Sequence, residues 1–113
     1  MIIDKKPLVT VVIPSYNREK TIKFCLDSVL SQNYPNIEII VVDDCSTDNT
    51  VKIAKSYGNV KVFVLEQNSG AQVARNRGIR EAKAEWIVFL DSDETLLEGS
   101  VQFTGVPLKL LNN

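Results

Sequence analysis

The sequence has no histidine, and this absence removes several kinds of enzyme from consideration. A serine–histidine–aspartate triad, a histidine general base and a histidine-ligated zinc site all need a residue that the chain does not contain. Its two cysteines, Cys25 and Cys45, are too few for a disulfide framework and form no CxxC pair for zinc. We therefore expect free thiols and a reducing, cytoplasmic compartment.

Long apolar runs and an excess of one charge are also missing. The longest uninterrupted apolar run is Trp86–Leu90, whereas a membrane-spanning helix needs about 20 residues. With 13 Lys and Arg against 14 Asp and Glu, the chain lacks the basic face typical of nucleic-acid binding. We expect a soluble protein with no signal peptide, no transmembrane segment and no nucleic-acid partner, for which docking at a membrane surface stays open.

Short β-branched runs alternate with segments of helical periodicity. Four apolar runs are predicted as buried strands: Leu8–Ile13, Ile37–Val42, Val60–Leu65 and Trp86–Leu90. Helices are predicted between them over Glu19–Gln32, over Asn49–Tyr57 and from Gly70 onward. The last helix carries the small residues Ala71, Ala74, Gly78 and Ala82, which favour close packing on a sheet. This order indicates an α/β fold, a Rossmann-like parallel sheet with helices on both faces. We assign residues 1–98 to this domain and 99–113 to an irregular tail.

Ligands of open parallel sheets bind at the carboxyl ends of the strands, so the residues after each strand are the candidates for chemistry. Polar residues follow all four predicted strands: Pro14–Arg18, Asp43–Asp44, Gln67–Gly70 and Asp91–Asp93. No GxGxxG and no P-loop motif is present to hold phosphate through glycine-rich backbone. A divalent cation held by carboxylates would serve instead, and Asp91 and Asp93 flank one small residue directly after a strand.

Each of these signals has a plainer interpretation when it is read alone. Asp-x-Asp is common in turns, and the run from Asp43 to Asp48 is also typical of helix N-capping, with Ser46, Thr47 and Asp48 as the capping oxygens. Arginines on a helix, such as Arg75, are usually solvated. Cys25 lies on the apolar stripe of its helix and is expected in the core. The convergence of four polar loops on one sheet edge is what favours a functional site.

Five blocks of the sequence resemble family 2 glycosyltransferases. They are Val11–Asn17, Leu26–Gln32, Val41–Thr50, Asn68–Gly70 with Ala74–Ile79, and Ile87–Asp93. The resemblance implies an A-type, nucleotide-diphospho-sugar transferase fold and transfer of a sugar from a nucleotide-sugar, most often a UDP-sugar, to an acceptor hydroxyl, usually with inversion. It also implies Mg²⁺ or Mn²⁺, which stabilises the leaving diphosphate.

The resemblance implies roles for individual residues. Pro14 and Tyr16 would flank the nucleotide base, Asp44 would hydrogen-bond it, and Arg75 would lie near the diphosphate or sugar. Asp91 would contact the ribose or donor sugar and Asp93 would ligate the metal, with Asp91 as its companion. The full nucleotide-binding set that we predict is Pro14, Ser15, Tyr16, Asn17, Asp43, Asp44, Gly70, Arg75, Asp91 and Ser92. Because Pro14–Tyr16 and Asp91–Asp93 must share one site, right-handed crossovers predict the strand order 3-2-1-4.

The half of the family that carries the acceptor site and the catalytic base has no counterpart that we identify, so we predict a shortened, donor-binding part. No catalytic base is assigned. An apolar edge over Trp86–Leu97 would then be exposed, and we expect a homodimer that covers it. Two other classes stay open. One is a non-catalytic nucleotide-binding or interaction module, and the other is a haloacid-dehalogenase-type phosphatase, whose DxDx[TV] pattern fits Asp91–Thr95.

Overall fold

A computed structural model describes residues 6–97 of the 113-residue chain. The chain alternates strands and helices throughout this range. The elements are β1 (Val9–Ser15), α1 (Ile22–Leu30), β2 (Ile37–Asp43), α2 (Thr50–Lys55), β3 (Val60–Val64), α3 (Ala71–Glu81) and β4 (Trp86–Phe89). All pairings are parallel and the strand order is β3-β2-β1-β4, which confirms the predicted α/β fold and sheet order. Residues 99–113, predicted as an irregular tail, lie outside the described range.

The two central strands are buried on both faces, which explains their nearly continuous apolar sequence. Along β1 and β2, odd-numbered side chains such as Val11 and Val41 pack with α1 and α2. Even-numbered side chains such as Val12 and Val42 pack on the other face, with α3. This alternation follows from the two-residue period of a strand, and it decides which face each residue at a strand end points to.

Helix α3 packs unusually closely on the sheet, as its small residues predict. Ala74, Gly78 and Ala82 are buried, whereas Ala71 is exposed at the start of the helix. A Cβ atom added at Gly78 would lie 2.3 Å from Cγ1 of Val12, well inside van der Waals contact. Glycine at this position therefore sets the distance between α3 and β1, and with it the position of everything that α3 carries.

Several predicted boundaries were wrong by a few residues. β1 continues through Pro14 to Ser15, because the main-chain groups of Pro14 face the β4 side of the strand, beyond the last β1–β4 pair, Val12 with Phe89. Its missing N–H therefore costs no ladder bond. β3 and β4 each end one residue earlier than predicted.

Both of the first two helices are shorter than their periodicity predicts. Helix α1 begins at Ile22 rather than Glu19, and the N–H groups of Arg18 and Glu19, which precede it, donate to Thr50 Oγ1 and Asp48 Oδ2. Helix α2 covers only Thr50–Lys55. Its N-cap residue, Asn49, makes no side-chain capping bond, and Asp48 Oδ1 accepts the N–H of Thr50 instead.

A buried carboxylate fixes the sheet at the end opposite to the polar loops. Glu38 accepts hydrogen bonds from Thr10 Oγ1 (2.6 Å), Lys61 Nζ (2.5 Å) and the N–H of Lys83 (2.9 Å). Burial acts to raise the pKa of Glu38, but the bonds from Lys61, Thr10 and Lys83 outweigh it and hold the pKa below its ordinary value. Glu38 thus ties two strands to the connection between α3 and β4.

No helix within residues 6–97 has the length and apolarity needed to cross a bilayer. At the end of this range, Leu96 packs against the core whereas the side chain of Leu97 is 78% exposed. The expected homodimer through Trp86–Leu97 stays a prediction.

Candidate active site at the carboxyl edge of the sheet

A cleft of about 320 Å³ opens where β1, β2 and β4 end, against the start of α3. Seven of the residues singled out from the sequence line it: Pro14, Ser15, Tyr16, Asp44, Asp91, Ser92 and Asp93. Arg18, Ala71 and Ala74 complete the lining. Four other predicted site residues do not line the cleft: Asn17, Asp43, Gly70 and Arg75. Each of them bonds to a residue that lines it or is next to one in the sequence. The strand order thus brings most of the predicted residues together in one place.

The adjacent acids Asp43 and Asp44 point to opposite faces of the sheet and do different things. Asp44 is on the α3 face and lines the cleft, where its two oxygens accept the N–H groups of Ser69 (2.6 Å) and Gly70 (2.9 Å). Gly70 has a φ of +97°, which glycine adopts without strain, and it is the N-cap residue of α3. Asp44 therefore lines the cleft and also holds the loop that starts α3.

Asp43, by contrast, is completely buried on the α1–α2 face. Its carboxylate accepts hydrogen bonds from Ser15 Oγ (3.0 Å), Ser46 N (2.7 Å) and Ser46 Oγ (2.6 Å). A buried carboxylate without a cation needs such donors to offset its loss of hydration. Asp43 is therefore outside the cleft lining and bonds to residues of the loops that follow β1 and β2, and its predicted contact with the nucleotide stays a prediction.

Three carboxylates cluster on the loop that follows β4. One oxygen each from Asp91, Asp93 and Glu94 lie within 4.8 Å of one another, and all three residues are exposed. The hydrogen bond and the charge of Asp91 raise the pKa of Glu94. Such close like charges are unfavourable until a cation compensates them.

Two arginines already compensate part of this negative charge. Arg75 on α3 lies with its Nη2 3.6 Å from Asp91 Oδ1, and Arg18 on the β1–α1 loop lies with its Nη2 3.8 Å from Asp93 Oδ2. All four side chains are a third to about half exposed, so these ion pairs are loose and free to rearrange around a ligand. Arg18 lies in the predicted polar segment Pro14–Arg18 but was not assigned to nucleotide or metal binding, although its charge and its place two residues after Tyr16 were available as signals.

The donor set fits a hard divalent cation. Mg²⁺ prefers oxygen ligands and usually takes one or two protein carboxylates together with phosphate oxygens and water. Asp91, Asp93 and Glu94 supply carboxylate oxygens only, on an open surface beside the cleft, with room left for a ligand's own oxygens.

The thiol of Cys25 lies close to the carboxylate loop but is unreactive. Burial, followed by the nearby charges of Asp93 and Asp91, raises the pKa of the Cys25 thiol to about 12, so it is not a nucleophile at neutral pH. Its Sγ lies 3.7 Å from the carbonyl oxygen of Asp91, and Thr21 Oγ1 donates to the carbonyl of Ser92 at 3.0 Å. These contacts hold the carboxylate loop against α1, so Cys25 is a core residue as predicted.

The family model for glycosyl transferase family 2 matches residues 10–102, which is most of the chain. The chain belongs to glycosyl transferase family 2. Membership confirms the resemblance carried by the five sequence blocks, and it removes the phosphatase interpretation of Asp91–Thr95.

Curated relatives match the chain over part of their own length. The chain is 47% identical over 93 residues to the Bacillus subtilis putative teichuronic acid biosynthesis glycosyltransferase TuaG, covering 79% of this chain and 37% of that protein. It is 42% identical over 96 residues to the Rhizobium meliloti succinoglycan biosynthesis protein ExoO, covering 83% of this chain and 28% of that protein. The chain therefore spans about a third of the length of such relatives.

Two solved structures of similar proteins share the fold. The Staphylococcus aureus TarS fragment 1–349 in complex with UDP-GlcNAc superposes with a TM-score of 0.73 at 42% identity, over 76% of this chain and 26% of that chain. The Pyrobaculum calidifontis mannosyltransferase PcManGT, in complex with GDP-Man and Mn²⁺, superposes with a TM-score of 0.73 at 31% identity, over 81% of this chain and 29% of that chain. The A-type glycosyltransferase fold expected from the sequence is confirmed.

Proposed function

We propose that this chain forms the donor site of a glycosyltransferase that moves a sugar from a nucleoside diphosphate sugar to an acceptor hydroxyl, with inversion and with Mg²⁺ or Mn²⁺. One observation carries the proposal above all. A single cleft is lined by Tyr16 and Asp44, which we propose form a slot for the base, and by the carboxylates Asp91 and Asp93, each of which is paired with an arginine. A nucleoside diphosphate has the matching parts, a flat base at one end and two phosphates at the other.

The base end of the ligand would lie between Pro14, Tyr16 and Asp44. Tyr16 is 43% exposed at the mouth of the cleft and offers a ring face for stacking. The oxygens of Asp44 retain lone pairs beyond the two N–H groups they already bind, so they can accept a hydrogen bond from a base N–H. Uracil carries such an N–H, and TarS structures contain UDP and UDP-GlcNAc. We therefore propose a UDP-sugar as the donor.

The diphosphate end would lie at the carboxylate loop. Asp93, with Asp91 beside it and Glu94 within reach, would hold the cation, and Arg75 and Arg18 would turn from the carboxylates to the phosphate oxygens. A divalent cation supplies charge stabilisation to the leaving nucleoside diphosphate. In the transfer, the acceptor oxygen bonds to the anomeric carbon as the bond from that carbon to the diphosphate oxygen breaks. The acceptor proton passes to a base that we place in the part of the relatives that this chain does not match.

Two relatives are named for the biosynthesis of polysaccharides: TuaG for teichuronic acid and ExoO for succinoglycan. We therefore propose a role in polysaccharide biosynthesis. The second candidate function is a non-catalytic nucleotide-binding module. It is favoured because the described residues supply a donor cleft and no assigned base.

The proposal is tested by thermal unfolding with UDP, in the presence of Mn²⁺ or of EDTA. UDP should raise the melting temperature more with Mn²⁺ than with EDTA, because UDP and the cation bind the folded chain together and do not bind the unfolded chain. Asp93→Ala should abolish the metal-dependent part of the shift. Glu85→Ala, which removes an exposed acid from the opposite end of β4, is the matched control and should leave the shift intact. If Asp93→Ala behaves like the parent chain, the metal assignment is wrong.

A further inference from the structure

We propose that Ser46 is a positioning residue of the base slot, setting the separation of Tyr16 and Asp44 without contacting the nucleotide. This inference rests on the proposed function and names a residue that it did not use. Ser46 is outside the residues that line the cleft. It lies in the loop after β2, and it bonds to the loop after β1 and to the carboxylate beneath both loops.

The hydrogen-bond directions around Ser46 are fixed by chemistry. An ionised carboxylate only accepts, so the Ser46 hydroxyl donates its one proton to Asp43 Oδ1 at 2.6 Å. Its oxygen then accepts the N–H of Asn17 at 2.8 Å. The hydroxyl therefore connects the main chain directly after Tyr16 to the side chain directly before Asp44.

Each of these partners is itself held in place. Asp43 is completely buried and also accepts bonds from Ser15 Oγ and the N–H of Ser46. Asn17 Oδ1 also accepts the N–H of Thr47 at 2.8 Å. Each loop therefore donates a backbone N–H to a side chain of the other loop. One short hydrogen-bond network thus joins the loop that carries Tyr16 to the loop that carries Asp44.

The backbone of both loops needs this support. Within residues 6–97, the non-glycine residues with positive φ are Asn17 (51°) and Cys45 (64°). One follows Tyr16 and the other follows Asp44, and both neighbour the Ser46 network in sequence or by hydrogen bond. Such conformations are uncommon away from glycine and persist where surrounding contacts determine them. Loss of the Ser46 hydroxyl removes one of those contacts from each loop.

The experiment measures dissociation constants for UDP and for inorganic diphosphate by titration calorimetry, both with Mn²⁺ present. Ser46→Ala should weaken UDP binding by about tenfold, because an N–H and a buried carboxylate each lose a partner. Binding of inorganic diphosphate should change by less than about twofold, since it needs only the carboxylate loop and the arginines. Ser46→Thr keeps a hydroxyl and should restore UDP binding. Ser31→Ala removes an exposed hydroxyl from the end of α1 and is the matched control.

A double-mutant cycle separates positioning from general damage. In a Tyr16→Ala background, the effect of Ser46→Ala on UDP binding should shrink markedly, because the side chain that Ser46 positions is gone. Equal effects in both backgrounds, or equal weakening of UDP and inorganic diphosphate, would overturn the proposal. If Ser46→Ala does not fold, Ser46→Cys gives the same test, since a thiol has nearly the shape of the hydroxyl but is a weaker hydrogen-bond donor and acceptor toward Asp43 and Asn17.

The same titrations distinguish this inference from the proposed function. If the parent chain binds UDP and Ser46→Ala binds it equally well, the positioning role fails and the proposed function stands. If the parent chain binds inorganic diphosphate with Mn²⁺ but shows no preference for UDP, the base slot and the role of Ser46 fail together. If the parent chain binds neither ligand, the proposed function fails as well.

Discussion

Replacing Gly78 by alanine tests whether helix propensity or the packing of α3 on β1 decides stability at this position. Alanine is favoured over glycine inside a helix by about 1 kcal/mol, so helix propensity alone predicts that the variant is more stable. In the structure, the new Cβ would lie 2.3 Å from Cγ1, 3.1 Å from Cγ2 and 3.2 Å from Cβ of Val12. Val12 is fully buried in the central strand, so its side chain cannot relieve the contact by turning into solvent.

Overpacking of a buried site typically costs about 1–3 kcal/mol, occasionally more. Because the new Cβ would approach a side chain on the central strand to 2.3 Å, we expect an overpacking cost at the upper end of this range. The helix propensity of alanine offsets only part of that cost. We therefore expect Gly78→Ala to lower the free energy of unfolding by about 2 kcal/mol. Because α3 must shift away from β1 to relieve the clash, the Ala71–Ala74 wall of the cleft moves too, and UDP binding should weaken.

Urea denaturation followed by Trp86 fluorescence measures the free energy of unfolding of the parent chain and of Gly78→Ala. Gly58→Ala is the matched control, since a Cβ there would meet nothing within 4 Å and φ lies outside the left-handed region. Combining Gly78→Ala with Val12→Ala should cost less than the sum of the two single changes, because the shorter side chain removes the atoms that clash. A Gly78→Ala variant as stable as the parent chain would refute the packing argument.

Three further outcomes are expected. Glu38 has a lowered pKa in the folded state, so it contributes stability above about pH 4.5 that is lost as the pH falls; Glu38→Gln should therefore reduce stability in denaturant titrations at pH 7 more than at pH 3. Arg75→Ala should weaken UDP binding with Mn²⁺ about fivefold in calorimetry, the discounted value of an exposed charge contact, while exposed Arg80→Ala on the same helix should not. The 113-residue chain should show little or no transfer of radiolabelled sugar and should dimerise in light scattering, and a monomer with robust turnover would contradict both expectations.

Much of the fold is readable from the sequence because the central strands are buried on both faces. Nearly continuous apolar runs, Leu8–Ile13 and Ile37–Val42, identify the two central parallel strands, and the helical stripe with Cys25 identifies the packed face of α1. The order of the strands follows once Pro14–Tyr16 and Asp91–Asp93 are required to share a site. The elements need only local patterns, whereas the strand order also needs the shared site that the family resemblance implies, together with the handedness of crossovers.

The same burial hides which residues at the strand ends face the cleft. Because both faces of β2 are apolar, its sequence shows no alternation, and Asp43 and Asp44 look equivalent until the sheet is assembled. Likewise, the contacts of the residues just before α1, which begins later than the predicted Glu19, and the roles of Asn17 and Ser46 depend on hydrogen bonds between loops about 30 residues apart in the sequence. The sequence by itself determined the elements, their order and the polar edge, since those follow from local periodicity. Only the tertiary structure decided which polar groups are consumed in holding the loops together and which are left to meet a ligand, because that depends on what each side chain faces in space.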